Sequence, residues 1–215
     1  FLSQEEVDAL LRGVSGEAEE EQQAEETGNI RPYNLATQER IVRGRMPTLE
    51  IINERFARNL RVGLFNFMRR TPEIAVGQVR TLKYSEFVRN LVVPTNLNIV
   101  HMRPLRGSAL IVLEPRLVFL VIDNLFGGDG RFHTRVEGRD FMQTEQRIIQ
   151  RLLQVIFEDY ERAWAPVYAM KFEYVRSEMH TQFTNVATPS EVVVSVTFNI
   201  ELGTHSGEFQ ICSPY

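Results

Sequence analysis

Residues 15–29 read Ser-Gly-Glu-Ala-Glu-Glu-Glu-Gln-Gln-Ala-Glu-Glu-Thr-Gly-Asn. No other stretch restricts the architecture as much. It contains no large apolar side chain, so it cannot bury enough surface to offset the entropy of being ordered. The region 15–32 therefore reads as an acidic flexible linker. It separates a short head, 1–14, from a body, 33–215, of ordinary domain size. A coil of this length spans roughly 20 Å r.m.s., and more when its acids repel one another.

The same boundary divides the charge. Residues 1–29 carry nine acids and one base, whereas the remaining 186 residues carry 19 acids and 23 bases. A partner can read the acidic end separately from the body. The body is only mildly basic and its aromatics follow no nucleic-acid motif, so nucleic acid is discounted as a partner. The single cysteine, Cys212, excludes an internal disulfide and fits a reducing compartment. The longest apolar run, Leu117 to Ile122, is far short of a membrane span, and the start lacks the pattern of a secretory signal. A soluble cytosolic protein is expected.

The head is a helix with a start and an end. Ser3-Gln4-Glu5-Glu6 is a capping box, in which the Ser3 hydroxyl accepts from the Glu6 amide and the Glu6 carboxylate reaches back. Glu5, Glu6 and Asp8 lie near the positive end of the helix dipole. Val7, Leu10, Leu11 and Val14 follow at helical spacing, and Gly13 and Gly16 mark the end. An isolated helix this short is marginal in water. Its stripe must dock on its own body or be captured by another protein, and the long tether favours capture. Burying four aliphatic side chains yields roughly 6–12 kcal/mol gross. Ordering the helix takes back much of that, which leaves a weak and reversible contact.

The body reads as a duplicated α/β unit. Pro47 starts a long helix expected over 48–69, with Leu49, Ile52, Phe56, Leu60, Leu64 and Phe67 along one side. A second is expected over 144–164, with Ile149, Leu152, Leu153, Ile156, Tyr160 and Trp164. Residues 192–202 alternate as a strand, and Leu91–Val93, Leu97–Met102 and Ala109–Leu113 also read as strands. Pro94-Thr95, a strand, Gly107, a strand and Pro115 recur as Pro189-Ser190, a strand, Gly207, a strand and Pro214. Two copies of helix-then-hairpin should form one sheet with helices outside, related by an approximate twofold.

Glu114-Pro115 opens a further helix that is apolar nearly all round and is expected to be buried. It stops at Gly127-Gly128-Asp129-Gly130. Two readings stay open: a helix C-cap with its turn, or a partner-docking loop that also presents Arg131, Phe132 and His133. The loop ends a helix instead of starting one and no Lys-Ser/Thr follows, so it is not a phosphate cradle. The histidines His101, His133, His180 and His205 have no ligand-like spacing. No dinucleotide fingerprint and no nucleophile motif is present, so neither metal nor cofactor is expected.

Several stretches together resemble the FliM family of flagellar motor switch proteins. They are Leu2-Ser-Gln-Glu-Glu-Val-Asp-Ala-Leu-Leu11, Arg31-Pro-Tyr-Asn-Leu35, Ile41-Val-Arg-Gly-Arg-Met-Pro-Thr-Leu49, Asn53-Glu-Arg-Phe-Ala57, Leu125-Phe-Gly-Gly-Asp-Gly-Arg131, Glu173-Tyr174 and Pro189-Ser-Glu-Val-Val193. The resemblance implies a non-enzymatic adaptor on the cytoplasmic face of the inner membrane, in the flagellar basal body. Its head would bind phosphorylated CheY through Ser3, Gln4, Glu5, Glu6, Val7, Asp8, Ala9, Leu10 and Leu11. Its body would be an α-β-α sandwich with pseudo-twofold symmetry, like the CheC phosphatases. Gly127, Gly128, Asp129, Gly130, Arg131 and Phe132 would contact FliG, and the flanks would pack on neighbouring FliM copies in a ring. Family members carry a further C-terminal domain that binds FliN. This chain stops at Tyr215 and lacks a starting methionine, which fits a piece of a longer protein and leaves FliN binding unassigned.

The rival reading is a CheC-type phosphatase of phosphorylated CheY. That family's motif is Asp or Ser, three residues, Glu, two residues, Asn, with the Asn positioning the attacking water. Glu50 and Asn53 fill the last two places but Met46 occupies the first. The second helix offers Ile149, Leu153 and Ile156, which cannot position water. Glu50 and Asn53 are expected to be ordinary helix surface. A second rival is a pure scaffold whose head folds back on its body.

Overall fold

The computed structural model describes residues 45–92, 95–128, 141–184 and 186–215. The head, the linker and Asp129, Gly130, Arg131 and Phe132 lie outside the described residues. In chain order the elements are α1 (Pro47–Met68), β1 (Glu73–Val76), β2 (Arg80–Lys83), α2 (Tyr84–Arg89), β3 (Asn96–Arg103), β4 (Ser108–Leu113), α3 (Pro115–Leu125), α4 (Gln143–Trp164), β5 (Lys171–Glu178), a 3-10 turn (Thr181–Phe183), β6 (Val192–Leu202) and β7 (His205–Pro214).

Pro47 sits in the first turn of α1, where its missing amide costs nothing. Ile52, Phe56, Leu60 and Leu64 recur every four residues and are buried, which gives the helix one core-facing stripe. It ends at Arg69, whose φ is 60° and whose amide donates to the Phe65 carbonyl at 2.8 Å. At the start of α4 the Met142 amide donates to Glu145 Oε2 at 2.7 Å, one arm of a capping box. Both long helices thus stand within one residue of their expected bounds.

The sheet runs β1-β6-β7-β4-β3-β5, with β2 also paired to β6, and every pairing is antiparallel. Its centre is the β4–β7 pair, where Ile111 faces Ile211. On either side lies a hairpin, β3–β4 and β6–β7, as the repeated Pro and Gly pattern predicts. The edges are exchanged between the halves. The chain leaves α1 into β1, which pairs with the second hairpin, and leaves α4 into β5, which pairs with the first.

The two sheet faces carry separate cores. Val196, Phe198, Ile200 and Leu202 of β6 join Ile111, Phe209 and the inner stripes of α1, α3 and α4. Phe56 lies 5.0 Å from Phe198 and 4.8 Å from Tyr160 between ring centroids. On the other face Leu97, Ile99, Leu110, Val112, Val193 and Cys212 are covered by Tyr84 and Phe87 of α2. The Tyr84 hydroxyl donates to the Thr184 carbonyl and pins this layer. The expected layered α/β architecture is present, but its second helical layer is only α2.

Three local expectations are corrected. In place of a strand over Leu91–Val93, the chain forms α2 just before it and Leu91 follows in a bend, because Tyr84 and Phe87 bury together one helical turn apart. Val93 lies outside the described residues. The helix α3 is not buried all round: Leu117, Val118, Leu120 and Val121 are inside, while Phe119, Ile122 and Leu125 are half-buried. Asn53 is not helix surface, as it is 0% exposed.

Candidate functional site

The end of α3 is built by its glycines. The Phe126 amide donates to the Ile122 carbonyl at 3.1 Å, Gly127 to Asn124 at 3.1 Å, and Gly128 to Asp123 at 2.8 Å. The last two are the paired bonds of a Schellman motif, with Gly127 in the left-handed region at φ 84°. An L side chain at Gly127 would be strained, and a Cβ on Gly128 would overlap the Asp123 carboxylate. The C-cap reading of Gly127 and Gly128 is therefore what the structure shows.

The cap also aims a side chain. Phe126 is the helix C-cap residue and is 75% exposed, a large aromatic in solvent at a hydrogen-bonded turn. Such a group is a ready anchor for a protein partner. Sequence reasoning misses Phe126 because it closes an apolar run and reads as core. Its place directly before the glycines is the available signal, since the chain must turn away there. The structure places Gly127 and Gly128 at this corner. Of the other sequence candidates, Asp129, Gly130, Arg131 and Phe132, and the head residues Ser3 to Leu11, lie outside the described residues.

A concave feature flanks α1. A groove of about 1100 Å3 is lined by Arg45 and Met46, by the first half of α1 as far as Arg58, by residues 76–82 and by Glu86 and Asn90. Arg45, Arg58 and Arg80 face Glu50, Glu54 and Glu86 along it, so its charges cancel and select no ligand class.

The phosphatase motif has no working geometry. Asn53 is fully buried, and neither its amide nitrogen nor its oxygen has a partner among the described residues. It cannot hold a water at the surface beside Glu50. Ile149, Leu153 and Ile156 are core residues, each 3% exposed or less.

Three further perturbed groups belong to the core. Burial pushes the Cys212 thiol up to about 12, the opposite of a reactive thiolate. Burial pushes Tyr160 up to about 12 as well. Burial also raises the Asp159 carboxyl, against the opposing pull of Arg162 and with a smaller push from Glu158. Among the described residues no group of three or more His, Cys, Asp or Glu could hold a metal. No helix among them is long and apolar enough to cross a membrane.

A family profile described as flagellar motor switch protein FliM matches residues 42–215. The chain is 55% identical over 218 residues to flagellar motor switch protein FliM of Escherichia coli K12, covering 100% of this chain and 65% of that protein. The chain belongs to the FliM family. It spans about two thirds of the length of the curated relatives it matches. Among solved structures it is similar to the FliM middle domain of Vibrio alginolyticus, at 47% identity and TM-score 0.71, over 79% of this chain and 94% of that one. It is also similar to a chain of the FliG–FliM complex from H. pylori, at 27% identity and TM-score 0.73, over 78% and 91%.

Proposed function

We propose that this chain is an adaptor of the flagellar motor switch, which captures phosphorylated CheY with its head and passes the signal to FliG through the α3 corner. The exposure of Phe126 on a hydrogen-bonded glycine cap carries the second half of this reading. The likeness to a FliG–FliM complex supports FliG as the occupant. The docking corner then comprises Phe126, Gly127 and Gly128 together with Asp129, Gly130, Arg131 and Phe132. The first half rests on the capping box, the apolar stripe of Val7, Leu10 and Leu11, and the acidic tether.

In this reading the head raises the local concentration of activated regulator beside the motor, and the tether sets its reach. The protein works at the cytoplasmic face of the inner membrane, peripherally, and its flanks pack on neighbouring FliM copies in a ring. The test is the affinity of the 215-residue chain for FliG. Phe126→Ala should weaken it by at least about 2 kcal/mol, as truncating an aromatic anchor does, with the melting temperature nearly unchanged. Unchanged affinity would remove the corner from the FliG contact.

A further inference from the structure

The corner sits at the far end of α3, and the near end of that helix rests on one glycine. A Cβ on Gly207 of β7 would lie 2.6 Å from Leu117 Cα, 2.7 Å from Leu117 N and 2.8 Å from Leu117 Cβ. Two of these are main-chain atoms, so no change of rotamer relieves the overlap. Two hydrogen bonds close the same joint. The Glu114 amide donates to the Glu208 carbonyl at 3.0 Å, and the Glu208 amide donates to Glu114 Oε2 at 3.1 Å. The sheet side of the joint is firm, because Gly207 pairs with the fully buried Ile200.

The counterpart in the first hairpin makes the demand specific. Gly107 has only Pro214 Cγ near its added Cβ, at an ordinary 3.8 Å. Both glycines belong to the repeated pattern, yet only Gly207 has a helix pressed against it.

We propose that Gly207 is a positioning residue: it sets the height and tilt of α3 on the sheet, and so the place of Phe126, which it does not touch. From Leu117 to Phe126 the helix runs nine residues, about 14 Å. A wedge under the first turn therefore moves the last one. The buried stripe of Leu117, Val118, Leu120 and Val121 keeps the helix attached while its direction changes. This inference rests on the reading of the corner as a FliG site.

The experiment compares five variants of the 215-residue chain for FliG affinity, melting temperature and the amide chemical shifts of Phe126, Gly127 and Gly128. Gly207→Ala should weaken FliG binding about tenfold, the scale of couplings through a packed element, and should move those shifts. Gly107→Ala should do neither. Leu110→Ala, in the core on the other sheet face, should lower the melting temperature without weakening binding. Glu114→Ala loosens the same joint and should weaken binding by roughly threefold, which keeps the test open if Gly207→Ala does not fold. Wild-type binding by Gly207→Ala, or by Glu114→Ala in that event, overturns the inference while Phe126→Ala still impairs binding. Equal weakening by Leu110→Ala overturns it too, since general instability then suffices. Wild-type binding by Phe126→Ala removes the docking reading itself.

Discussion

Gly63 of α1 and Asp159 of α4 meet so closely that a Cβ on Gly63 would overlap Asp159 Oδ2 and lie 2.9 Å from Val155 Cγ1. The two helices run antiparallel at this point: Phe56 packs on Tyr160, and Asn59 Nδ2 donates to the Asp159 carbonyl at 3.3 Å. Replacing an interior helix glycine by alanine normally gains about 1 kcal/mol. At Gly63 the sign should reverse, with a loss of about 1–3 kcal/mol from overpacking. Adding Asp159→Ala should recover part of the loss, and a double-mutant cycle in urea reads the coupling. A simple gain from Gly63→Ala would contradict the contact.

Asp159 also makes stability depend on pH. It is buried, with Oδ1 accepting from Arg162 Nη1 at 3.0 Å and no partner for Oδ2 among the described residues. Burial raises its carboxyl above the ordinary value of 3.8. The folded state therefore holds this proton more tightly than the unfolded one. Stability from this group is fully present below the ordinary value and is lost as pH rises through the raised one. Asp159→Asn should melt higher than the parent at pH 7, and the gap should close in acid. A gap that widens in acid would reverse the sign.

Asn53 is buried too, and both polar atoms of its amide lack partners among the described residues. Leaving such a group unsatisfied costs about 1–3 kcal/mol. Asn53→Leu, which keeps the branched skeleton and removes the polar atoms, should raise the urea midpoint by an amount on that order. A large fall would show that the amide is satisfied in the folded protein.

The capture half of the proposal is read from a labelled peptide of residues 1–16. Its fluorescence anisotropy should rise with CheY, at lower concentration when the regulator carries a phosphoryl mimic. Leu10→Ala should weaken the interaction about tenfold, the loss of one buried aliphatic contact. No binding in either state would leave the head to its own body.

Long periodic segments are legible in the amino-acid sequence alone. The stripes of α1 and α4 and the alternation of β6 each span ten residues or more, so local pattern suffices to set them. The short edge strands β1, β2 and β5 are not legible in this way. β1 and β2 are four residues long, β5 is polar and largely exposed, and all three exist because a partner strand from the other half pairs with them. Asn53 shows the same limit: helical spacing puts it beside Ile52, and only packing decides that an amide goes inside. At the corner the glycine cap is readable from composition, whereas the exposure of Phe126 depends on which way the capped turn points.

In the working motor Phe126 is expected to meet FliG. A photo-crosslinking phenylalanine analogue at position 126, in cells that assemble the switch, reads that contact. The expected result is a crosslink to FliG, lost when Gly128→Val reshapes the turn. A crosslink only to a neighbouring FliM copy, or none in assembled motors, would contradict it.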